Sequence, residues 1–498
     1  MRNVLIIICL FLSVPICAQV QRGYNWITGL NGNRINFNSA NVTTYLGNYV
    51  DHYFHGGNSC ISDNDGNLLL TSDGYSIYNS FGNYVEDGDT LVPLDLFNFE
   101  DGWSAESESS IFLPMDSGLY YFITPTMSDT RFSDCNANNN CHFDLLLYNV
   151  IDMNANGGAG KVMKRMIPLM QNANLRKTQM MACRHGNGKD WWLLKNEGDS
   201  ANIHVLLFTQ DSVYDKGVQI FNEPVWGEWD LRGQSTFNYD GSKFATTSQG
   251  GALINQGLIF LSDFDRCSGL LSNPRVIEMP VGSAHDTLDP TKIDKQSGGL
   301  CFSPNSRFLY VSSYVNIYQY DFWDSTWYHV AGLDTTFNAA QAYNTAYLGP
   351  DNRVYIGNFG GSSKQMSRID SPDVKGVGCS FCPRCLRMDS LSGLFSLGTP
   401  PCMPNYGLGA KTCWPLSTNE VVHISPEINI YPNPAIDKVT ISASDNFSDI
   451  RIYTMLSQLV FEMKSNPVSQ IEINTQGLPS GIYLVQIDGK YSRKLVVE

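Results

Sequence analysis

A polar turn followed at once by an apolar, aromatic-rich strand recurs six times along this chain. The copies occupy residues 62–71, 114–124, 184–194, 238–247, 303–312 and 349–357. Their turn positions are spaced by 52, 70, 53, 65 and 46 residues, measured at Gly66, Gly118, Gly188, Gly241, Ser306 and Asn352. Glycine, asparagine and serine suit the backbone of tight hairpins. Each copy therefore predicts a hairpin, and the spacing is typical of one small sheet with its loops.

The spacing and the composition together predict an all-β fold. Aromatic residues make up 12% of the chain and charged residues only 16%, which favours compact β structure over disorder. Four-stranded sheets in a ring leave only short, protected edges. We therefore expect a β-propeller over residues 19–415 with about seven blades, six or eight being alternatives. A series of unrelated β-sandwich domains that share turn chemistry is the other interpretation.

A closed ring makes a further prediction about the two ends of the propeller. Strands near residues 24–27 or 34–37 should share a blade with strands supplied by residues 379–408. Such closure removes the open edges that a partial ring would expose to other chains.

The first 18 residues have the pattern of a cleavable signal peptide. Arg2 supplies the positive end, residues 4–12 the apolar run, and Ala18 a small residue before the cut. A lipid anchor on Cys17 is the alternative, but Ile16 stands where a lipobox requires a small residue. No other segment predicts a transmembrane helix.

The sequence changes character at residue 428, after a linker over residues 416–427. From there to residue 498 short runs of alternating apolar residues predict a small antiparallel β-sandwich. Its landmarks are a Tyr-Pro-Asn-Pro entry, a glycine-bounded hairpin and a basic, aliphatic end. These landmarks are supplied by Tyr431, Pro432, Asn433, Pro434, Gly477, Gly481, Tyr483 and Lys494.

These landmarks closely resemble the type A C-terminal sorting domain of type IX secretion. One departure is Ser457, where the family usually has glycine. The resemblance implies that the outer-membrane translocon of a Gram-negative bacterium reads the domain, and that a sortase-like peptidase cuts within residues 415–426. It also implies a secreted or cell-surface protein. The repeats at residues 58–79, 185–192 and 302–310 are similar to the WD-repeat-like propellers of such cargo.

The formal net charge of −15 lies almost wholly outside the tail, since residues 428–498 hold seven acids and six bases. Such a surface repels phosphate backbones and anionic lipid, so neither nucleic acid nor a membrane surface is expected as partner. Calcium is the cation that it could attract, through Asp63, Asp65 and Asp73. Because an EF-hand spacing is missing, capping of turns is the preferred role. No cofactor is expected, with calcium as the alternative.

Cysteines are unusually informative in an exported chain, because its compartment lets disulfides form. Of 13 cysteines two lie in the leader, which leaves an odd number of 11. Cys135 and Cys141 bracket a short polar loop and predict a disulfide. A denser group predicts at least one disulfide that staples the last blade, formed among Cys379, Cys382, Cys385, Cys402 and Cys413. An iron–sulfur or zinc site is the disfavoured alternative, so no metal site is expected.

Histidine and tryptophan side chains offer weaker hints of a site. His52 and His55 are three residues apart on a predicted strand and point to opposite faces, so they do not form a metal pair unaided. Six tryptophans could stack on sugars, although blade core is the preferred role for Trp191, Trp192, Trp226, Trp229, Trp323 and Trp327.

No familiar catalytic motif occurs in the sequence. The serine-nucleophile elbow, the zinc-protease helix, the phosphate loop and the dinucleotide fingerprint are all missing. We therefore expect a secreted, non-enzymatic propeller that binds a glycan or a protein. One alternative is a polysaccharide hydrolase or lyase with carboxylates in the propeller channel. A structural component of the extracellular matrix or cell surface is the other.

Overall fold

The structure is a computed structural model of the chain, which divides into two compact units, residues 1–413 and 414–498. Each unit has its own hydrophobic core. The structure describes residues 21–38, 41–49, 51–138, 141–198, 200–221, 233–248, 257–280, 285–286, 289–293, 297–313, 315–332, 342–358, 364–387, 399–413, 429–454, 458–488 and 491–497.

The first unit consists of antiparallel sheets that follow one another along the chain. Sheet I contains β1 (Asn25–Leu30), β2 (Asn33–Asn36), β3 (Thr43–Tyr45) and β4 (Tyr53–Phe54), in the order β3-β2-β1-β4. Sheet II contains β5 (Ser59–Ser62), β6 (Leu68–Ser72) and β7 (Ile77–Asn79). Sheet III contains β8 (Ile111–Pro114), β9 (Leu119–Thr126), β10 (Leu145–Asp152) and β11 (Lys161–Met170).

Four further sheets pair their strands in chain order. Sheet IV contains β12 (Leu175–Arg184), β13 (Trp191–Glu197), β14 (Ile203–Phe208) and β15 (Val213–Gln219). Sheet V contains β16 (Gly233–Phe237), β17 (Lys243–Ser248), β18 (Leu258–Phe264) and β19 (Leu271–Glu278). A ribbon of β20 (His285–Asp286) and β21 (Asp289–Ile293) follows. Sheet VI contains β22 (Ser297–Phe302), β23 (Phe308–Ser313), β24 (Asn316–Asp321) and β25 (Thr326–Gly332). Sheet VII contains β26 (Tyr343–Leu348), β27 (Val354–Asn358), β28 (Gln365–Ile369) and β29 (Phe381–Arg387).

Among the described residues, helical structure lies in the connections between strands. The α-helices are α1 (Leu94–Phe99) and α2 (Asp129–Asn138), and single 3₁₀ turns lie at Asp116–Gly118, Asn156–Gly158 and Gly376–Cys379. Phe99 and Phe132 pack edge to face where the two α-helices meet.

The six repeated turns each join the first two strands of one sheet, in sheets II to VII. All six turn positions have a positive φ: 83°, 77°, 74° and 71° at the four glycines, and 60° at Ser306 and Asn352. This backbone conformation is the one that glycine adopts without steric cost and that few other residues adopt. The prediction of six hairpins at these positions is therefore confirmed.

The seven sheets form a ring around a central channel. The first strands of neighbouring sheets contact one another from sheet II through sheet VII. Sheet I fills the gap between sheets VII and II, because Trp26 and Phe37 pack on Tyr355 of β27 and β1 contacts β5. The predicted all-β propeller is confirmed, with seven sheets in the described part of the chain.

The prediction that strands at the two ends of the first unit share a sheet is wrong, because β29, the described strand of residues 379–408, pairs with β28 in sheet VII and not with sheet I. Asn58 donates hydrogen bonds to the carbonyl oxygens of Ile27 (2.7 Å) and Thr399 (3.5 Å), so it joins β1 to the C-terminal residues. The β-bridge of Cys402, however, is with Ser59 in sheet II and not with a strand of sheet I. The physical reason is that β4 pairs with β1 at Gly29 and Leu30, which occupies the edge of sheet I.

The second unit is a small antiparallel fold, and its described residues form five strands. They are β30 (Asn429–Tyr431), β31 (Lys438–Thr454), β32 (Leu459–Asn474), β33 (Gly481–Ile487) and β34 (Tyr491–Val497). The long strands β31 and β32 pair with register shifts between Ser442 and Asp449, so each contributes to two halves. Val439 and Ile441 of one half and Ile450 and Ile452 of the other share one buried core.

Candidate functional site

Glu108 lies where the first strands of several sheets meet around the axis of the ring, and it is 1% exposed. Its Oε2 accepts hydrogen bonds from the backbone N–H groups of Met180 (3.2 Å) and Ser235 (2.9 Å). Its Oε1 accepts one from the hydroxyl of Tyr347 (3.2 Å). These partners belong to sheets IV, V and VII, so one carboxyl group beside β8 joins four sheets.

Gln234 makes a second connection across the channel. Its Nε2 donates to the carbonyl oxygen of Ala346 (2.8 Å), and its Oε1 accepts from the N–H groups of Leu300 (2.9 Å) and Ala346 (3.0 Å). Sheets V, VI and VII are thereby tied together. Buried polar groups that are satisfied in this way rigidify a fold.

The ionisable groups of the channel are held away from solvent. Burial raises the pKa of Glu108 to about 8, although its hydrogen bonds and the nearby Lys195 act in the opposite direction. Burial also lowers the pKa of Lys195 to about 7, against the attraction of Glu108. The Lys195 ammonium group donates to the carbonyl oxygen of Thr178. Perturbed pKa values can mark catalytic groups, but these two side chains have no exposed surface at which a polymer could react.

Residues 399–413, which we call the closing segment, cross one end of the channel. The segment begins beside sheet II, where the N–H of Cys402 donates to Asn58 (2.9 Å). In its middle, the Tyr406 hydroxyl donates to the carbonyl oxygen of Phe112 in sheet III (2.9 Å). It ends beside sheets IV and V, where the N–H of Lys411 donates to Gly186 (2.9 Å).

The closing segment forms part of a cavity of about 140 Å³ at this end of the channel. The described residues that line it come from sheets I, V, VI and VII, and none of them is an Asp, Glu or His. Trp26, Tyr347 and Tyr406 are among them. The lining therefore offers aromatic and backbone groups and supplies no acid–base pair for glycoside chemistry.

A second cluster of ionisable side chains lies outside this cavity. Glu106 is buried, with its side chain 3% exposed, and it forms an ion pair (3.3 Å) with Lys177, whose side chain is 17% exposed. Glu100 accepts a hydrogen bond from the Tyr75 hydroxyl (2.6 Å). Burial raises the pKa of Glu100, and the nearby charge of Glu106 raises it further. Of these four residues, Glu100 and Lys177 are partly exposed, whereas Tyr75 and Glu106 are buried.

A larger cavity of about 380 Å³ lies between sheets I and II, and we call it the I/II cavity. Its described lining is Ile27, Gly32, Arg34, Asn36, Tyr45, Leu46, Gly47, Asn48, Tyr49, Leu68 and Ser80. Arg34 of β2 and Tyr45 of β3 are direct partners in the strand pair, so their side chains lie on the same face. Tyr45 is 51% exposed. The cavity thus offers an aromatic ring, a guanidinium group and amides side by side.

The wall of the I/II cavity depends on one glycine. A Cβ atom at Gly47 would lie 1.9 Å from the carbonyl oxygen of Gly32, closer than any real contact. Glycine at position 47 therefore lets two loops meet. Arg34, Tyr45 and Glu108 belong to no recognisable sequence motif. The polar and aromatic residues of 33–45 could have signalled a surface site, whereas Glu108 lies in a Ser- and Glu-rich stretch typical of a solvated loop.

The residues considered for calcium make hydrogen bonds within their own turns. Asp63 Oδ1 accepts from the N–H groups of Asp65 (2.9 Å) and Asn67 (2.8 Å). Asp73 accepts from two N–H groups of its own turn and from the Tyr78 hydroxyl (2.6 Å). Within the described ranges no group of three metal-ligating side chains comes together. Calcium at these positions stays a prediction.

The histidines have separate surroundings. His52 Nδ1 lies 2.9 Å from the Tyr78 hydroxyl oxygen, whereas His55 stacks on Tyr53.

The tryptophans fall into two groups. Trp191 and Trp192 are buried in the sheets and donate to backbone carbonyl oxygens. Trp323 is 77% exposed with the Arg307 guanidinium 3.8 Å from its ring centre, and Trp327 packs on Tyr320. Trp226 and Trp229 lie outside the described residues.

The cysteines pair differently from the prediction in the dense group. The structure joins Cys135 to Cys141, and it joins Cys413 to Cys267, 146 residues earlier. Cys379, Cys382, Cys385 and Cys402 are thiols, so a bond within the dense group is not formed. The reason is that the closing segment carries Cys413 to the turn between β18 and β19 and leaves Cys402 buried in the channel.

The landmarks of the tail meet at one end of the second unit. Asn433 Nδ2 donates to the carbonyl oxygen of Lys494 (2.9 Å), and its Oδ1 accepts from the N–H of Val496 (2.8 Å). These bonds fix the Tyr-Pro-Asn-Pro entry to the last strand. The peptide bonds before Pro432 and Pro434 are cis, and Tyr431 is 49% exposed. Gly481 begins β33, Gly477 lies in the turn before it, and the Tyr483 hydroxyl donates to Pro479 (2.6 Å).

No helix among the described residues is long and apolar enough to cross a membrane.

Similarity to curated proteins is confined to short stretches. An endo-acting ulvan lyase of Formosa agariphila is 33% identical over 89 residues, which are 17% of each chain. Ulvan lyase NLR42 of Nonlabens ulvanivorans is 38% identical over 76 residues, which are 14% of each chain. The alignments thus span less than a fifth of either relative and are about as long as the second unit.

Solved structures with a similar arrangement share little sequence. Apo AztD from Citrobacter koseri is 11% identical with a TM-score of 0.32, covering 76% of this chain and 87% of its own. The Cps50 (Swd1) β-propeller domain from Myceliophteria thermophila is 10% identical with a TM-score of 0.27, covering 78% and 97%. These values support no inference, and the fold rests on the sheets themselves.

The tail matches a described family directly. Residues 429–498 match the Secretion system C-terminal sorting domain. This match agrees with the landmarks Asn433, Tyr483 and Lys494 and with the independent core of the second unit. The chain is therefore a β-propeller cargo of type IX secretion that carries a C-terminal sorting domain, and it is destined for the cell surface or the extracellular space.

Proposed function

We propose that this secreted propeller is a non-enzymatic binding module for extracellular glycans, and that the I/II cavity is its binding site. The observation that carries the proposal is the pairing of Arg34 and Tyr45 on one face of a cavity of about 380 Å³. Small-molecule sites are commonly concave, partly aromatic and equipped with a few convergent polar groups. The buried Glu108 supports the proposal of a non-enzymatic role, because its carboxyl oxygens are already bonded to Met180, Ser235 and Tyr347.

Tyr45 supplies the surface on which a sugar ring would rest. Half of its side chain is exposed, and its hydroxyl oxygen accepts a hydrogen bond from Thr43 (3.1 Å), which leaves its own proton free to donate. An aromatic ring with a polar tip gives a large contact area at a small cost in side-chain entropy. Such a ring suits the apolar face of a pyranose.

The amides of the I/II cavity supply hydrogen bonds for sugar hydroxyl groups. Asn48 Nδ2 donates to the carbonyl oxygen of Phe81 (2.9 Å), which fixes the side chain with its Oδ1 as an acceptor. Ser80 contributes a hydroxyl group to the same lining. Oriented polar groups of this kind give specificity, because a ligand that lacks a partner leaves them unpaired.

A glycan array and a polysaccharide pull-down with the secreted protein test the proposal. Tyr45→Ala should weaken glycan binding at least tenfold, on the order of 1.4 kcal/mol, by removing the stacking surface. Tyr214→Ala is the matched control, because Tyr214 is 49% exposed on the outer strand of sheet IV. Equal binding by both variants and by the unchanged protein would place the site elsewhere, and failure of folded protein to bind any glycan would refute the proposal.

A polysaccharide lyase or hydrolase is the second candidate. Two observations favour it: the short similarity to ulvan lyases, and the partly exposed Glu100 and Lys177, which lie beside the buried Tyr75 and Glu106. A tyrosine hydrogen-bonded to a carboxylate can move a proton, and a lysine can neutralise an acidic sugar. Incubation with ulvan and other polysaccharides, followed by chromatography of the products, tests it. Depolymerisation that Tyr75→Phe abolishes would promote this candidate over the first.

A further inference from the structure

We infer that the I/II cavity recognises an acidic sugar, one that carries a carboxylate or a sulfate, and that Arg34 is the group that selects it. This inference rests on the proposed function, since it names the class of glycan for the same cavity. Its evidence is the charge of the lining, the fixed position of the guanidinium group and the neighbouring aromatic ring.

The lining of the I/II cavity has the opposite charge to the rest of the protein. The chain holds 48 acidic residues and a net charge of −15. Nevertheless, the described lining contains one arginine and no Asp or Glu. A local cationic site within an acidic protein is informative, because an acidic surface by itself would repel an anionic ligand. The composition of the lining thus favours the binding of an anionic ligand in the I/II cavity, whereas the rest of the acidic surface would repel such a ligand.

Arg34 is held in position by a neutral side chain. Its Nε donates to Asn25 Oδ1 at 2.7 Å. Among the residues that the structure describes, no Asp or Glu lies within 4.0 Å of its guanidinium nitrogens. The charge of Arg34 is therefore not neutralised by a carboxylate of the described chain, and its terminal nitrogens can donate to a ligand.

Asn25 is itself fixed from several directions, which pre-organises Arg34. It is fully buried, and its Nδ2 donates to Ser62 Oγ (2.8 Å) and to the carbonyl oxygen of Gly66 (2.7 Å). Its Oδ1 also accepts from Asn36 Nδ2 (2.6 Å). Sheets I and II thus both anchor the guanidinium group. A donor that is already oriented loses less entropy on binding, which strengthens recognition.

The geometry of the strand pair explains how one sugar could use both groups. Because Arg34 and Tyr45 are direct partners across β2 and β3, their Cβ atoms are about 5 Å apart on one face. A ring stacked on Tyr45 would place a substituent on its edge within reach of the planar guanidinium fork. Carboxylate and sulfate both offer the paired oxygens that this fork binds. The two sources of the charge share this chemistry.

Three oligosaccharides of equal length test the inference by titration calorimetry on the secreted protein: one neutral, one with uronate and one with sulfate. The acidic sugars should bind about 10- to 100-fold more tightly than the neutral one, as expected for a charge-assisted hydrogen bond. Arg34→Gln should remove this difference, and Arg34→Lys should keep part of it because the charge remains. Arg353→Gln is the matched control, since Arg353 is paired with Asp351 and Asp370 in sheet VII.

The outcomes separate the two proposals. Preference for uronate alone, for sulfate alone or for both supports the inference and identifies the source of the charge. Equal binding of the neutral sugar, unaffected by Arg34→Gln, overturns it and leaves the glycan-binding function standing. Folded protein that binds none of the three overturns both. If Arg34→Gln lowers the melting temperature, Tyr45→Ala serves as the second variant. It should weaken the binding of all three sugars by the same factor and so leave the preference for acidic sugars unchanged.

Discussion

Removal of the Cys267–Cys413 disulfide should cost the first unit much more stability than removal of the Cys135–Cys141 disulfide. A crosslink stabilises mainly by restricting the unfolded chain, and the effect grows with the length of the closed loop. The two bonds span sequence separations of 146 and 6 residues. The chain-entropy relation gives about 5 kcal/mol for the long loop and about 2 kcal/mol for the short one.

Urea unfolding of the secreted protein measures this difference. The double variant Cys267→Ser/Cys413→Ser should lose about 3 kcal/mol more than Cys135→Ser/Cys141→Ser, which serves as the matched control. A loss of this size is a large fraction of the about 5–15 kcal/mol that stabilises a typical domain. The midpoint of unfolding should therefore fall clearly in the first variant and slightly in the second.

Equal losses in the two double variants would refute the reasoning. The closing segment would then fold and unfold apart from the ring, and its hydrogen bonds to Phe112 and Gly186 would carry no global stability. Limited proteolysis shows which case applies, because a segment that detaches locally is cut within residues 399–413 while the sheets stay intact.

Three further predictions concern the channel and the tail. Burial raises the pKa of Glu108 to about 8, so the native protein keeps a proton that the unfolded chain loses near pH 4.5. The free energy of unfolding should therefore fall as the pH rises between these two values, by a few kcal/mol at most. Glu108→Gln should flatten the dependence of the melting temperature on pH. Asn433→Ala removes two hydrogen bonds to the last strand, which should lower the stability of the second unit by about 1–2 kcal/mol. Hydrogen exchange in the full chain should then show a tenfold or greater loss of protection at residues 494–496. Deletion of residues 428–498 should leave a folded propeller in the periplasm, and its appearance in the medium on cell fractionation would contradict the sorting role of the tail.

The hairpins could be predicted because their chemistry is local. Gly66, Gly118 and the other four turn positions adopt positive φ, and a glycine, asparagine or serine at such a position is visible in the sequence itself. The spacing of the turns then indicates a ring of about seven sheets, although sheet I contains no copy of the turn. The tail was equally legible, since Asn433 and Lys494 belong to short motifs with a fixed order.

The candidate sites could not be predicted in the same way, because they join residues that are distant in sequence. Glu108 bonds to Met180, Ser235 and Tyr347, and no spacing in the chain reveals that these residues face one channel. The partner of Cys413 was missed for the same reason. Cys267 lies 146 residues away, while nearer cysteines with denser spacing suggested a local staple.

The Cys267–Cys413 bond also determines how the first unit responds to force. Cys413 is the last residue of that unit, so any pull exerted through the tail, by export or by attachment to a surface, reaches the propeller at this point. The covalent bond passes the load directly into the turn between β18 and β19. The hydrogen bonds of residues 399–411 then lie off the load path and need not resist peeling one after another. Tension on the tail should therefore leave the ring closed for as long as Cys267 and Cys413 remain joined.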